Sequence, residues 1–227
     1  PPEGYYKKIY DLCKKNEIIF IADEVVTGFG RLGHFFSSEE VFGVVPDIIT
    51  CAKGITSGYL PLGAVLFSDK LIGDLKHDSS LFFHGYTYSG HPACCAAALK
   101  NIEILKRDKI LEHVLEIEPY FFEKLNTLYE LPIVGDIRGK GLMAGIECVI
   151  NKNSKEALIL DKAIGSRIDE ESIKLGLIIR PLYHICVLSP ALIITKNQID
   201  DLTEKLYLAI SNTIDQLQKE GLWSSQK

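Results

Sequence analysis

The spacing of apolar positions changes several times along the chain, and each change marks an element. Tyr5 to Lys15 has the three-and-four spacing of a helix, and Ile18-Ile19-Phe20-Ile21-Ala22 is an unbroken apolar run ending in Asp23-Glu24. Such a run predicts a central parallel strand covered on both faces. A glycine loop, Gly28-Phe29-Gly30-Arg31-Leu32-Gly33, separates it from Asp47-Ile48-Ile49-Thr50-Cys51-Ala52, a second predicted strand that stops at Lys53. Gly54, Gly58 and Pro61 then break the chain before a third apolar run, Gly63 to Phe67, which also predicts a strand.

Loop residues Phe83 to His91 lead to Pro92, a favoured first helical position, and Ala93-Cys94-Cys95-Ala96-Ala97-Ala98 opens a helix whose small side chains permit close packing. A long helix is expected from Arg107 to Glu130, leaving a first domain of residues 1–107. Beyond it, Ile133 to Ile150 alternates turns and apolar runs. Asp161 to Leu175 is helical, Gly176 caps it, and Leu177-Ile178-Ile179-Arg180 predicts a strand. Thr195-Lys196-Asn197-Gln198 has the form of a capping box, after which Ile199, Leu202, Leu206, Ile210, Ile214 and Leu217 trace one face of a closing helix. Residues 108–227 are thus expected to form a small α+β domain.

Composition narrows the class. With 47% hydrophobic and 24% charged residues over 227 positions, the chain can bury a real core and is not a disordered segment. A formal charge of −5 with scattered Lys and Arg leaves no basic footprint for nucleic acid. The six cysteines follow neither a secreted framework nor a paired Cys-x-x-Cys pattern, so reduced, cytoplasmic thiols are expected. No run approaches a membrane span. The sequence opens at Pro1-Pro2-Glu3 without Met and enters a helix at once, so it reads as a piece of a longer protein.

In open α/β sheets ligands collect at the carboxyl ends of strands, and two neighbouring predicted strands end in Asp23 and Lys53. A lysine held there among apolar and small residues can act as an amine nucleophile that forms a Schiff base. Pyridoxal phosphate requires such a lysine, together with a carboxylate that keeps its pyridine nitrogen protonated. Taken singly, each residue is equally a turn residue, a cap or a solvated charge.

Several segments occur in an order and spacing that resemble the class III aminotransferases. They are Ile21-Ala22-Asp23-Glu24-Val25, Gly28-Phe29-Gly30-Arg31, Pro46-Asp47-Ile48, Ala52-Lys53-Gly54, Pro61-Leu62-Gly63-Ala64 and Thr87-Tyr88-Ser89-Gly90-His91-Pro92, followed by Val134 to Glu147 and, more loosely, Ser189-Pro190. The resemblance implies the fold type I transferase architecture: part of a large domain with a mostly parallel sheet and flanking helices, then the small carboxy-terminal domain. It implies pyridoxal 5'-phosphate as cofactor and a ping-pong aminotransferase, moving an amino group from an amine or omega-amino acid to a 2-oxo acid such as pyruvate.

Carried over residue by residue, the resemblance makes Lys53 the Schiff-base lysine, base and acid in turn. Asp23 becomes the partner of the pyridinium nitrogen, and Val25 the residue packed on the ring. Thr87, with Tyr86 beside it, would bind the phosphate of the other subunit's cofactor, making a homodimer part of the active site. Arg180 stands where the omega-amino acid enzymes place a carboxylate-binding arginine. Leu32 departs from the family's commonest residue, Thr. The family's amino-terminal half, with its phosphate cup and ring-stacking aromatic, is not in this sequence, so these residues alone are expected to fold poorly and to be inactive.

Other readings stand beside this one. Gly28-x-Gly30-x-x-Gly33 has the form of a dinucleotide fingerprint, but five residues separate it from the strand end and no helical period follows. A non-catalytic binding protein, or another chemistry built on the same lysine (aminomutase, decarboxylase, racemase), would share the fold. His84 and His91 lack a third ligand at metal spacing and read as a loop histidine and a helix cap, so no metal is assigned. Arg138 among its glycines is expected in a turn.

Overall fold

The computed structural model describes residues 1–76, 83–158 and 163–224. They form two compact units, Pro1–Glu112 and His113–Lys227.

The first unit opens with helix α1, Tyr5–Lys15, and strand β1, Ile21–Asp23. After the glycine loop come a single helical turn α2, Ser37–Glu40, strand β2, Ile48–Cys51, a 3-10 turn Lys53–Thr56, and strand β3, Ala64–Phe67. Helices α3, Asp69–Lys76, and α4, Pro92–Arg107, complete it, with Pro92 at the expected first turn. The sheet order is β1-β2-β3. β1 runs parallel to β2 with Asp23 opposite Thr50, whereas β3 returns antiparallel with Ala64 opposite Cys51. The sheet is therefore mixed, because the link from β2 to β3 holds only a 3-10 turn and no crossover helix, which a parallel return requires.

β1 differs from its expectation. Only Ile21 and Ala22 of the run pair, with Asp23 after them, and Ile18, Ile19 and Ile21 are 54%, 52% and 57% exposed, while Ala22 is buried. Among the described strands β1 pairs with β2 alone, and of the run Phe20 packs against Tyr6 and Tyr10 of α1.

Helix α5, Ile110–Asn126, belongs to the second unit from His113 on, and with a 3-10 turn, Thr127–Glu130, it leads into the hairpin of β4, Val134–Lys140, and β5, Met143–Asn151. The short β6, Glu156–Ala157, pairs with β5; then follow α6, Ile164–Lys174, β7, Arg180–Leu182, β8, Ile185–Leu188, and α7, Lys196–Lys219. The antiparallel order is β4-β5-β8-β7. Asp161 and Lys162, expected to start α6, lie outside the described residues. The strand expected at Leu177 begins only at Arg180: Gly176, in the left-handed region at φ 77°, ends α6 and the chain needs three further residues to reach β8's edge. Arg138 lies within β4 rather than in a turn, and Gly141 (φ 57°) supplies the turn instead.

One apolar core fills this unit. Phe121, Leu125, Ile133, Leu142, Ile146, Ile168, Leu206 and Ile210 are among its fully buried side chains. The capping box forms as expected: Thr195 Oγ1 accepts the Gln198 N–H at 3.4 Å, and Gln198 Oε1 accepts the Thr195 N–H at 2.9 Å. Thr195→Ala removes one acceptor from the first turn of α7 and is expected to lower unfolding free energy by about 1 kcal/mol, read as a fall in the urea midpoint at constant slope. No helix among the described residues is long and apolar enough to cross a membrane.

Candidate active site

Strand pairing brings Asp23 and Lys53 to neighbouring ends of one parallel pair. Asp23 lies opposite Thr50, and Lys53 follows Thr50 by three residues, at the start of the 3-10 turn just past the end of β2. With strands about 4.8 Å apart and about 3.3 Å of rise per residue, the two Cα atoms fall within roughly 11 Å, a span that two opposed side chains can share with one small ring. Both side chains are exposed.

Their neighbours fix each of them. Asp23 Oδ1 accepts the Val25 N–H at 3.0 Å, a local turn that orients the carboxylate and leaves its second oxygen outward. Lys53 takes a positive φ of 40° as the strand bends into its 3-10 turn, and no ion pair holds its ammonium among the described residues. From α4, Asn101 Nδ2 donates to the carbonyls of Gly54 at 2.8 Å and Ile55 at 3.1 Å, pinning the turn that carries Lys53. Gly54 must be glycine, since a Cβ there would lie 2.9 Å from Phe29 Cβ and 3.0 Å from the Gly28 carbonyl oxygen. The glycine loop is thus the platform against which the lysine turn packs. It opens no helix after Gly33, and Gly30 and Gly33 serve left-handed positions, so the dinucleotide-fingerprint reading fails on its context.

Sequence reasoning missed Glu24. Its side chain is buried at 3% exposure and its Oε1 accepts the backbone N–H groups of Ser37 at 2.8 Å and Ser38 at 2.6 Å and the Ser38 hydroxyl, while the Thr27 hydroxyl donates to Oε2. This charge, together with burial, raises the Tyr6 phenol above its usual range, burial being the larger cause. Glu24 therefore closes the glycine loop on the back of β1 as Asp23 faces out of its front. Period-2 alternation was the available signal, because successive side chains along a strand point to opposite faces, so Glu24 cannot share the face of Asp23. Glu24→Ala strands four donors, two of them buried backbone amides, and is expected to cost about 3 kcal/mol or more in a urea unfolding curve.

Tyr86 and Thr87 lie in the exposed turn before α4, where Ser89 Oγ accepts the Tyr86 N–H at 2.8 Å. No hydrogen bond or ring contact joins them to Asp23 or Lys53 among the described residues. Val25, half-buried, lies two residues after Asp23 in the turn. Arg180 belongs to the second unit, exposed at the start of β7 and opposite Val187. Arg138, 51% exposed at its side chain, bonds Asp136 Oδ2 at 2.6 Å and also Glu147, and both carboxylates raise its pKa, Asp136 the more.

A comparison with protein families matches residues 1–210 to "Aminotransferase class-III". The chain belongs to the class III aminotransferases. Among its curated relatives in the family, the putrescine–pyruvate aminotransferase of Pseudomonas aeruginosa is 42% identical over 203 residues, covering 89% of this chain and 44% of that protein. Among solved structures, a thermostable (S)-enantioselective omega-transaminase from Thermomicrobium roseum superposes with a TM-score of 0.90 at 41% identity, over 95% of this chain and 48% of that one. An amine transaminase from an uncultivated Pseudomonas species, solved in its PLP-bound form, gives 0.89 at 37% identity, over 94% and 49%. The fold is that of the fold type I transaminases, and the chain spans about half the length of the relatives it matches.

The residues fit the family's cofactor. A primary amine with no ion pair and an outward carboxylate stand at adjacent strand ends, the two donor types that an aldehyde-bearing pyridinium needs.

Proposed function

We propose that the complete protein is a pyridoxal-phosphate-dependent aminotransferase that moves an amino group from an amine or omega-amino acid to a 2-oxo acid, with pyruvate as the acceptor suggested by the Pseudomonas aeruginosa relative. The observation that carries this reading is the parallel register that puts Asp23 and Lys53 at one sheet end. Bound there, the cofactor supplies an electron-withdrawing ring that stabilises negative charge at the substrate Cα.

The chain's own residues do the rest. Lys53 Nζ holds the cofactor covalently between turnovers, then takes the Cα proton as base and returns it as acid. Asp23 keeps a positive charge on the ring nitrogen through a charge-assisted hydrogen bond. Val25 packs against the ring and keeps water from that face. Thr87, with Tyr86 beside it, offers an exposed hydroxyl and amide to the phosphate of a partner subunit's cofactor, so the working form is a homodimer. Arg180 presents a bidentate guanidinium to substrate carboxylates. The six unpaired cysteines suit a reducing, cytoplasmic setting.

Borohydride trapping tests the reading. The protein purified with its cofactor is expected to show a band at about 400 nm that an amine donor bleaches, and reduction is expected to fix the cofactor mass onto the peptide containing Lys53. Absence of the band from folded protein, or mass on any other lysine, overturns it.

A further inference from the structure

Asn101 stands in the interior of α4, where asparagine is a poor helix former. Its side chain reaches out of the helix to the 3-10 turn Lys53–Thr56, and Nδ2 donates to the Gly54 carbonyl at 2.8 Å and to the Ile55 carbonyl at 3.1 Å. Carbonyl oxygens only accept. Two of them side by side call for a group with two hydrogens on one atom, which among neutral side chains only the amides of Asn and Gln supply.

The turn so held is the one that Lys53 opens. Lys53 stands at φ 40°, a left-handed conformation that is unfavourable for a residue with a side chain and persists only where the surroundings over-determine it. Several contacts do so here. Gly54 packs against Phe29 and the Gly28 carbonyl, the hydroxyl of buried Thr56 donates to the Leu60 carbonyl at 2.6 Å, and Asn101 supplies the polar bonds from a separate element. A lysine side chain is a flexible stem, so the protein can aim Nζ only by fixing the backbone beneath it. The proton step depends most on that aim: a displacement of about 1 Å from the reactive geometry can cost on the order of 10²-fold in rate. Holding a substrate in place makes no such demand on the turn.

We propose that Asn101 is a positioning residue for Lys53: by gripping the carbonyls of Gly54 and Ile55 it keeps the lysine backbone in the left-handed conformation from which Nζ meets the substrate Cα. This rests on the aminotransferase reading and adds to it a residue on α4 that sets the geometry of proton transfer without touching the substrate.

The test uses the full-length protein as Asn101→Ala and Asn101→Asp. Alanine removes both donors and suits a helix better, while aspartate keeps the shape and turns an oxygen toward the two carbonyls. With cofactor bound, both variants are expected to retain the band at about 400 nm, because Lys53 is still present. The KM of the amine donor is expected to stay within about threefold while kcat falls about 10²-fold. Deuterium at the donor's Cα is expected to slow kcat in the variants at least as much as in the wild type, since proton transfer has become the slow step. A role confined to stability would lower the urea midpoint and leave the kcat of folded protein alone. In cofactor-free protein, amide hydrogen exchange read by mass spectrometry is expected to quicken about tenfold or more across residues 53–60 and to stay unchanged across β1. An unchanged kcat, an isotope effect that vanishes in the variants, or unchanged exchange overturns the proposal. Should the wild-type protein show neither the band nor transamination of any amine, the aminotransferase reading fails, and hydrogen exchange alone decides whether Asn101 holds the turn.

Discussion

Lys53→Ala is expected to reduce turnover of every amine donor by about 10⁴-fold or more while leaving the fold intact. The first half of that statement follows from chemistry. The proton at the substrate Cα has to be taken and returned by one group at one place, and Lys53 Nζ is the amine at the end of β2. The second half follows from structure. Lys53 is exposed, makes no ion pair among the described residues, and already occupies φ 40°, so alanine inherits its backbone strain without adding to it. The change in unfolding free energy should stay within about 0.5 kcal/mol. Lys53→Arg sharpens the experiment, because a guanidinium keeps the charge yet neither adds to an aldehyde nor gives up its proton near neutral pH. It should be as inactive as alanine. Activity surviving in either variant would remove Lys53 from the mechanism.

Asp23→Asn should lower kcat by about 10²-fold and weaken cofactor retention, on the scale that one preorganised charge contact contributes. Asparagine keeps the oxygen that accepts the Val25 N–H at 3.0 Å, so the turn survives while the negative charge is lost. An electrostatic role predicts a large kinetic loss with an unchanged urea midpoint. A role confined to the turn predicts almost no loss, and that result would separate Asp23 from the ring nitrogen. Cofactor dissociation followed by dialysis and absorbance measures the retention directly.

The parts of this fold written in local chemistry were legible from the sequence. Pro92 at the first turn of α4, the Thr195–Gln198 box, the buried stripe of α7 and the stop of β2 at Lys53 all depend on near neighbours in the chain. What depends on distant partners was not. The direction of β3, the late start of β7 and the whole of β8 are set by which edge is free, and no residue in Ile185–Leu188 announces that it pairs with β5. Arg138 shows the same limit: its glycine neighbours suggest a turn, but its backbone pairs opposite Gly145 of β5, a partner distant in sequence. At the candidate site, Asp23 and Lys53 stood out because both end apolar runs, whereas Glu24 was hidden behind Asp23.

The opposite fates of Asp23 and Glu24 bear on how this segment could be moved between scaffolds. A graft that copied Asp23 alone would import a charge without its backing, since the carboxylate that ties β1 to Ser37 and Ser38 would be left behind. The transferable cassette runs from Ile21 through Ser38, so that Glu24 travels with the amides it binds. A single-residue insertion or deletion inside β1 is a different matter: it would rotate the pair by one pleat, point Glu24 at the solvent and bury Asp23 against the serines, so the reading frame of this strand is protected more strictly than the identity of most residues in it.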